Sequence, residues 1–243
     1  MTQESRGGID LDQHGRKKMD KTEIAEIISA LPLFAHLEMN QITRLAQAAN
    51  IETIPAGGLY FSEQATAQGL HLLVAGRVKL FRMSEEGREQ TIFIFGPGEP
   101  FCLCSVFSDG QLPANMAALE PSTVLVVPPG ELERLVAEDP GMLLMILRVM
   151  SRRLKEAMDM IDALSLRQLP SRLAAYFLTS AEGGIMTLSI THRELAKIIG
   201  ATPEALSRSL RKMSEAGLLE VEGKDVRILD RWGLEQCRTS GLA

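Results

Sequence analysis

Seven apolar residues, Leu143, Leu147, Met150, Leu154, Ala157, Ile161 and Leu164, follow one another at steps of four, three, four, three, four and three. This is an a/d seam, and a seam of that kind is stable only when a second helix covers it. No other segment carries a matching seam. The pattern therefore predicts one helix from Pro140 to about Leu166 that pairs with its own copy in a parallel homodimer. Arg148, Arg152, Arg153, Lys155, Glu156, Asp159 and Asp162 leave only a narrow apolar stripe, which suits a two-stranded contact better than burial in a monomer. Asp139 is a suitable N-cap, and Pro140 fits the first helical position. The chain has different periodicities before and after this helix, so the helix also divides it.

On the N-terminal side, Glu23 to Phe34 and Glu38 to Ala49 carry apolar residues at helical spacing, among them Ile24, Ile27, Ile28 and Leu31. From Ile51 the period shortens. Runs at Ile51–Ile54, Leu59–Phe61, Leu70–Val74, Val78–Met83, Gln90–Phe95, Asn115–Leu119 and Thr123–Val127 are separated by Gly and Pro, as at Gly96-Pro97-Gly98 and Pro128-Pro129-Gly130. Short strands closely spaced by turn signals predict an antiparallel barrel or sandwich. A short helix is expected over Glu131–Ala137. Residues 1–21 are polar and charged and read as a flexible extension.

On the C-terminal side, Ser171–Thr179 reads as a helix and Met186–Ile190 as a brief strand. Thr191 caps a helix that stops at Gly200, with Glu194 placed for a capping box. Thr202 caps a second helix, with Pro203 at its first position, running to about Ala216. Two helices about the turn Gly200-Ala201-Thr202 make a helix-turn-helix. Leu195, Ala196, Ile199, Leu206 and Leu210 are placed to pack them together. Leu218–Val221 and Val226–Leu229 flank a turn at Glu222-Gly223-Lys224 and form a two-stranded wing.

The net charge of −5 is uneven. Residues 1–169 hold 16 Lys/Arg against 22 Asp/Glu, whereas residues 170–231 hold 9 against 8. The less acidic part is the one with the helix-turn-helix. Three cysteines, Cys102, Cys104 and Cys237, make no disulfide framework and fit a reducing cytoplasm. No apolar run is long enough for a membrane span.

A β-roll, a long dimer helix and a winged helix-turn-helix, in that order, resemble the CRP/FNR family of bacterial transcription regulators. The match is specific over Ile190-Thr-His-Arg-Glu-Leu-Ala-Lys-Ile-Ile-Gly200 and Thr202-Pro-Glu-Ala-Leu-Ser-Arg208. The close of the domain, Glu222 to Asp230, looks most like the nitric-oxide-responsive DNR and HcpR branches. The resemblance implies an α+β chain: residues 22–138 a double-stranded, jelly-roll-like sensing domain related to cyclic-nucleotide-binding domains, 139–167 the dimerisation helix, and 168–243 the DNA-binding domain. It implies a regulator rather than an enzyme, with palindromic DNA and RNA polymerase as partners. Glu204, Ser207 and Arg208 share one helix face and would read bases in an inverted repeat with TTGA or TTG half-sites. Ser171, Arg172, Thr191, His192, Thr202, Arg211 and Lys212 would hold phosphates.

The same resemblance places a cyclic-nucleotide phosphate against an Arg-Ser pair, but Pro113-Ala114 stands at those positions. Proline offers neither a charge nor an N–H, so cAMP is not expected. Three cysteines are also too few for an FNR-type iron–sulfur cluster. Gly98-Glu-Pro-Phe-Cys-Leu-Cys-Ser105 is similar to the haem-ligand stretch of the carbon monoxide sensor CooA, which implies haem ligation at Cys102 or Cys104. If that segment is extended, both side chains point the same way. His71 and Met145, with Met142 and Met158 nearby in the pattern, are further candidate donors. Three roles for the cysteines stay open: haem-mediated sensing of NO or CO, a thiol redox switch, and burial in the core. A regulator of a small organic ligand, and outside regulation a haem-binding protein or thiol oxidoreductase, are the alternatives.

Overall fold

The computed structural model describes residues 19–107, 110–181 and 183–242. Most of the extension expected at residues 1–21 thus lies outside the described residues. The chain forms two compact units, Met1–Arg82 with Phe93–Arg152, and Met83–Ile92 with Arg153–Ala243.

The first unit begins with α1 (Lys21–Ala30), opened by a capping box between Asp20 and Glu23. The helix expected to reach Phe34 is interrupted. Pro32 holds Leu31 in extended backbone and starts a separate 3-10 turn, Pro32–Phe34. After α2 (Met39–Ala48) come β1 (Asn50–Ile54), β2 (Leu59–Phe61), β3 (Leu70–Ala75), β4 (Val78–Met83), β5 (Glu89–Phe95), β6 (Pro100–Phe101), α3 (Leu103–Val106), β7 (Asn115–Ala118), β8 (Ser122–Val127) and α4 (Pro129–Glu138). The strands make two sheets, in the orders β1-β8-β3-β6 and β2-β7-β4-β5.

Alternation along β3 separates two cores. Leu70 and Leu72 face a helical cluster with Ile28, Leu45, Leu135, Met142 and Ile146. Leu73 faces the roll interior with Phe95, Phe101, Cys102 and Met116. The long helix α5 spans Pro140–Leu166, the bounds that its periodicity predicts. Asp139 Oδ1 accepts the Gly141 N–H at 2.8 Å and caps it.

The segment around the cysteines departs from expectation. It is not extended: β6 ends at Phe101, and Cys102 takes the left-handed conformation, φ 59°. Its carbonyl accepts the Ser105 N–H at 3.1 Å and the Ser105 hydroxyl at 2.7 Å, which starts α3. The reversal turns Cys102 into the core and leaves Cys104 exposed, so the two do not share a face.

The second unit holds α6 (Leu169–Ser180), β9 (Ile185–Thr187), α7 (His192–Ile199), α8 (Pro203–Glu215), β10 (Leu219–Glu222), β11 (Asp225–Ile228) and α9 (Arg231–Ser240). The wing is three-stranded, because β9 pairs with β11. Helix α9, which the sequence reading did not predict, is capped by Asp230 and buries Leu234 and Cys237.

Candidate DNA interface and sensing roll

The helix-turn-helix is built as its caps dictate. Thr191 Oγ1 accepts the Glu194 N–H and Thr202 Oγ1 the Ala205 N–H, each at 3.2 Å. Gly200 supplies the left-handed turn, φ 69°. A Cβ there would meet the side-chain ends Leu164 Cδ2, Gln90 Oε1 and Arg172 Nη1 at 2.5, 3.0 and 3.1 Å, which would have to shift, and the positive φ itself favours glycine. Leu195, Ala196, Ile199, Leu206 and Leu210 are all buried between the helices, as their spacing predicts.

Glu204, Ser207 and Arg208 lie exposed on α8. The backbone N–H of Glu204 and the Thr202 hydroxyl, with Arg208 nearby, hold the Glu204 carboxyl below its ordinary range. Thr191, His192, Thr202, Arg211 and Lys212 are likewise exposed. Two of the expected phosphate contacts are placed otherwise. Ser171 is buried in the first turns of α6. The Arg172 guanidinium donates to the carbonyls of Ile199 at 2.7 Å and Gly200 at 3.3 Å, and burial lowers its pKa. Arg172 thereby braces the turn.

Along α5, Leu147, Leu154 and Ile161 are exposed by 51%, 64% and 65%, and Leu143 and Leu164 are also exposed. Met150 and Ala157 are half-buried. A separate stripe, Met142 and Ile146, is buried in the helical cluster. Of the seam, Met150 also packs against that cluster, while Leu143, Leu147, Leu154, Ile161 and Leu164 stay exposed.

Inside the roll, His71 is buried and ringed by Tyr60, Phe61 and Phe101, with ring centroids at 5.7, 5.4 and 5.6 Å. Its Nδ1 lies 3.2 Å from the Gly69 carbonyl. A carbonyl only accepts, so the proton sits on Nδ1 and Nε2 carries the lone pair. Burial pushes the imidazole pKa down to about 4, against smaller opposing effects of Glu52 and the Gly69 bond. Cys102 is buried with its Sγ 3.5 Å from Met116 Sδ, and burial, with Cys104 beside it, pushes its thiol up. Met145 packs on the helical cluster, on the other face of β3 from Cys102. The four candidate donors therefore do not converge, and among the described residues no group of three or more His, Cys, Asp or Glu is placed to hold a metal ion. As arranged, they do not fit a haem held by an axial pair. The aromatic ring around His71 and the contact of Met116 with Cys102 escaped the sequence reading, since their partners come from separate strands. Alkylation under native conditions should modify Cys104 within minutes, while Cys102 and Cys237 should react only after denaturation. Peptide mapping of the labelled thiols checks this.

Comparison with known proteins agrees with this geometry. Residues 51–139 match the cyclic nucleotide-binding domain and residues 171–237 the Crp-like helix-turn-helix domain. The two domains in this order are those of a DNA-binding transcription regulator of the CRP/FNR type, with an effector-binding domain. A CRP-like cAMP-activated global transcriptional regulator of Mycobacterium tuberculosis is 27% identical over 213 residues, covering 84% of this chain and 95% of that protein. FixK2 from Bradyrhizobium japonicum shares the fold at 22% identity and a TM-score of 0.70, over 80% of this chain and 99% of that one. A CooA mutant from Carboxydothermus hydrogenoformans does so at 20% identity and the same TM-score, over 79% and 89%. No described helix is long and apolar enough to cross a membrane.

Proposed function

We propose that the protein is a homodimer that binds an inverted repeat with TTGA- or TTG-type half-sites and recruits RNA polymerase under control of an effector in the roll. The observation that carries this is the exposed trio Glu204, Ser207 and Arg208 on a capped α8, together with the exposed seam on α5. Arg208 can bond a guanine edge bidentately and Glu204 can accept from cytosine N4. Arg208→Ala should cost about 1–3 kcal/mol at one base pair and relax preference there. Gel shifts over a half-site substitution series measure it; a uniform loss across all sequences would make Arg208 a phosphate contact.

The effector is not a cyclic nucleotide on this reading. Ala114 is buried and Pro113 adds no donor at the positions where a cyclic phosphate would need a cation. Because the donors as arranged do not fit an axial pair, sensing of NO or CO through haem would rest on His71 Nε2 alone. A Soret band that shifts with CO or NO and disappears in His71→Ala would support it. Absence of that band leaves a thiol response at Cys102 and Cys104 or a small organic ligand.

A further inference from the structure

The second unit contains a segment, Met83–Ile92, far in sequence from the rest of it. Its ends belong to β4 and β5, and a tight turn closes it, with the Ser84 N–H donating to the Arg88 carbonyl at 2.8 Å. Where this segment meets α7, the contacts are specific. Lys197 Nζ donates to Glu89 Oε2 at 2.8 Å and to Glu194 Oε1 at 2.9 Å. All three side chains are at least three-quarters covered, at 24%, 15% and 20% exposure. Gln90 Nε2 donates to the Ile198 carbonyl at 3.2 Å and to its neighbour Thr91's carbonyl at 2.9 Å. Ile198 is in the last turn of α7, where backbone carbonyls lack helical partners. Gln90, Arg172 and Leu164 then crowd Gly200, the residue at the corner.

We propose that Glu89 and Gln90 form a clasp on α7 that holds the helix-turn-helix in its DNA-binding posture, and that opening the clasp weakens operator binding. The clasp takes the C-terminal half of α7 and leaves the exposed residues of α8 open, so it is compatible with DNA. Strand β5 runs on from Gln90 to Phe95, which is part of the roll core. Gln90 itself reaches α7 and the corner at Gly200 only through its side chain, by the hydrogen bond to Ile198 and the approach of Oε1. The proposal rests on the regulator reading above.

The sign of one substitution separates this from general electrostatics. Glu89→Gln removes a negative charge from a unit that binds a polyanion, so charge alone would tighten binding. The clasp requires the opposite. In full-length dimer on a duplex carrying an inverted TTGA repeat, Glu89→Gln and Lys197→Gln should each weaken binding by roughly tenfold, within the range of ordinary coupling. The double variant should lose no more than either alone, and the exchange Glu89→Lys with Lys197→Glu should recover most of the loss. Amide hydrogen exchange at Ile198–Ala201 should speed up in Glu89→Gln without DNA. Unchanged or tighter binding by Glu89→Gln, or additive losses in the double variant, would overturn the clasp. If wild type itself ignores the duplex, the regulator reading fails on its own, and unchanged exchange at Ile198–Ala201 would still sink the clasp.

Discussion

A chain carrying Leu154→Asp with Ile161→Asp is expected to sediment as a monomer and to lose at least about a hundredfold in affinity for a palindromic operator. Both side chains are more than 60% exposed in the single chain, so neither holds the monomer together. In a dimer each would be buried, at about 1.5–3 kcal/mol per side chain, and two copies of each take part. Asp in a dry seam adds the cost of desolvating a charge. The monomer keeps an intact reading head but engages one half-site. Linking two heads multiplies affinity by roughly 10²–10⁴, and that factor is what the variant forgoes. Sedimentation equilibrium and gel shift measure the two parts separately. A monomer that still held the palindrome at wild-type affinity would show that the seam has no part in DNA binding. Leu154→Asn should give the same result in milder form.

The second large effect is on stability against acid. His71 is neutral in the folded chain because burial depresses its pKa from 6.5 to about 4. Above pH 6.5 neither state binds the proton, and the group has no pH-dependent effect. As the pH falls below 6.5 the unfolded chain takes the proton first, so stability falls. The fall continues to about pH 4, below which both states are protonated and it levels off. The span corresponds to roughly 3 kcal/mol, a large share of a domain's net stability. Urea denaturation of wild type and His71→Leu between pH 7 and pH 4 isolates this contribution as the difference between the two curves. That difference should shift by about 3 kcal/mol in favour of the variant as the pH falls. A flat difference would show that the imidazole is not held neutral by its surroundings.

The parts legible in the sequence are those where local chemistry decides. Helix α5 is legible end to end, because a heptad seam, an Asp-Pro start and a long unbroken period agree. The caps Thr191 and Thr202 and the corner Gly200 fixed α7 and α8, and seven strands followed from alternation between Gly and Pro turns. Where reading failed, distant contacts decide. Nothing local marks Cys102 as the site of a left-handed turn, since that conformation is ordinarily glycine's. Helix α9 has only Leu234 and Cys237 as a buried stripe and a glycine in its first turn, too weak a signal to show. Ser171, expected at a phosphate, is buried in α6, and the half-buried Arg172 also donates to the carbonyls of Ile199 and Gly200, contacts that no local pattern marks. The clasp joins residues 108 positions apart, beyond any local pattern.

Helix α5 has one more property that follows from residue spacing alone. Met142 and Leu143 are consecutive, yet the first belongs to the buried stripe and the second to the exposed seam. Consecutive residues on a helix are about 100° apart, so the two stripes are neighbours and not opposites. The helix acts as a cam: any rotation about its own axis moves both stripes through the same angle. A substitution that turned the helix at Met142 and Ile146 would therefore turn the face that offers Leu143 and Leu147 by the same angle.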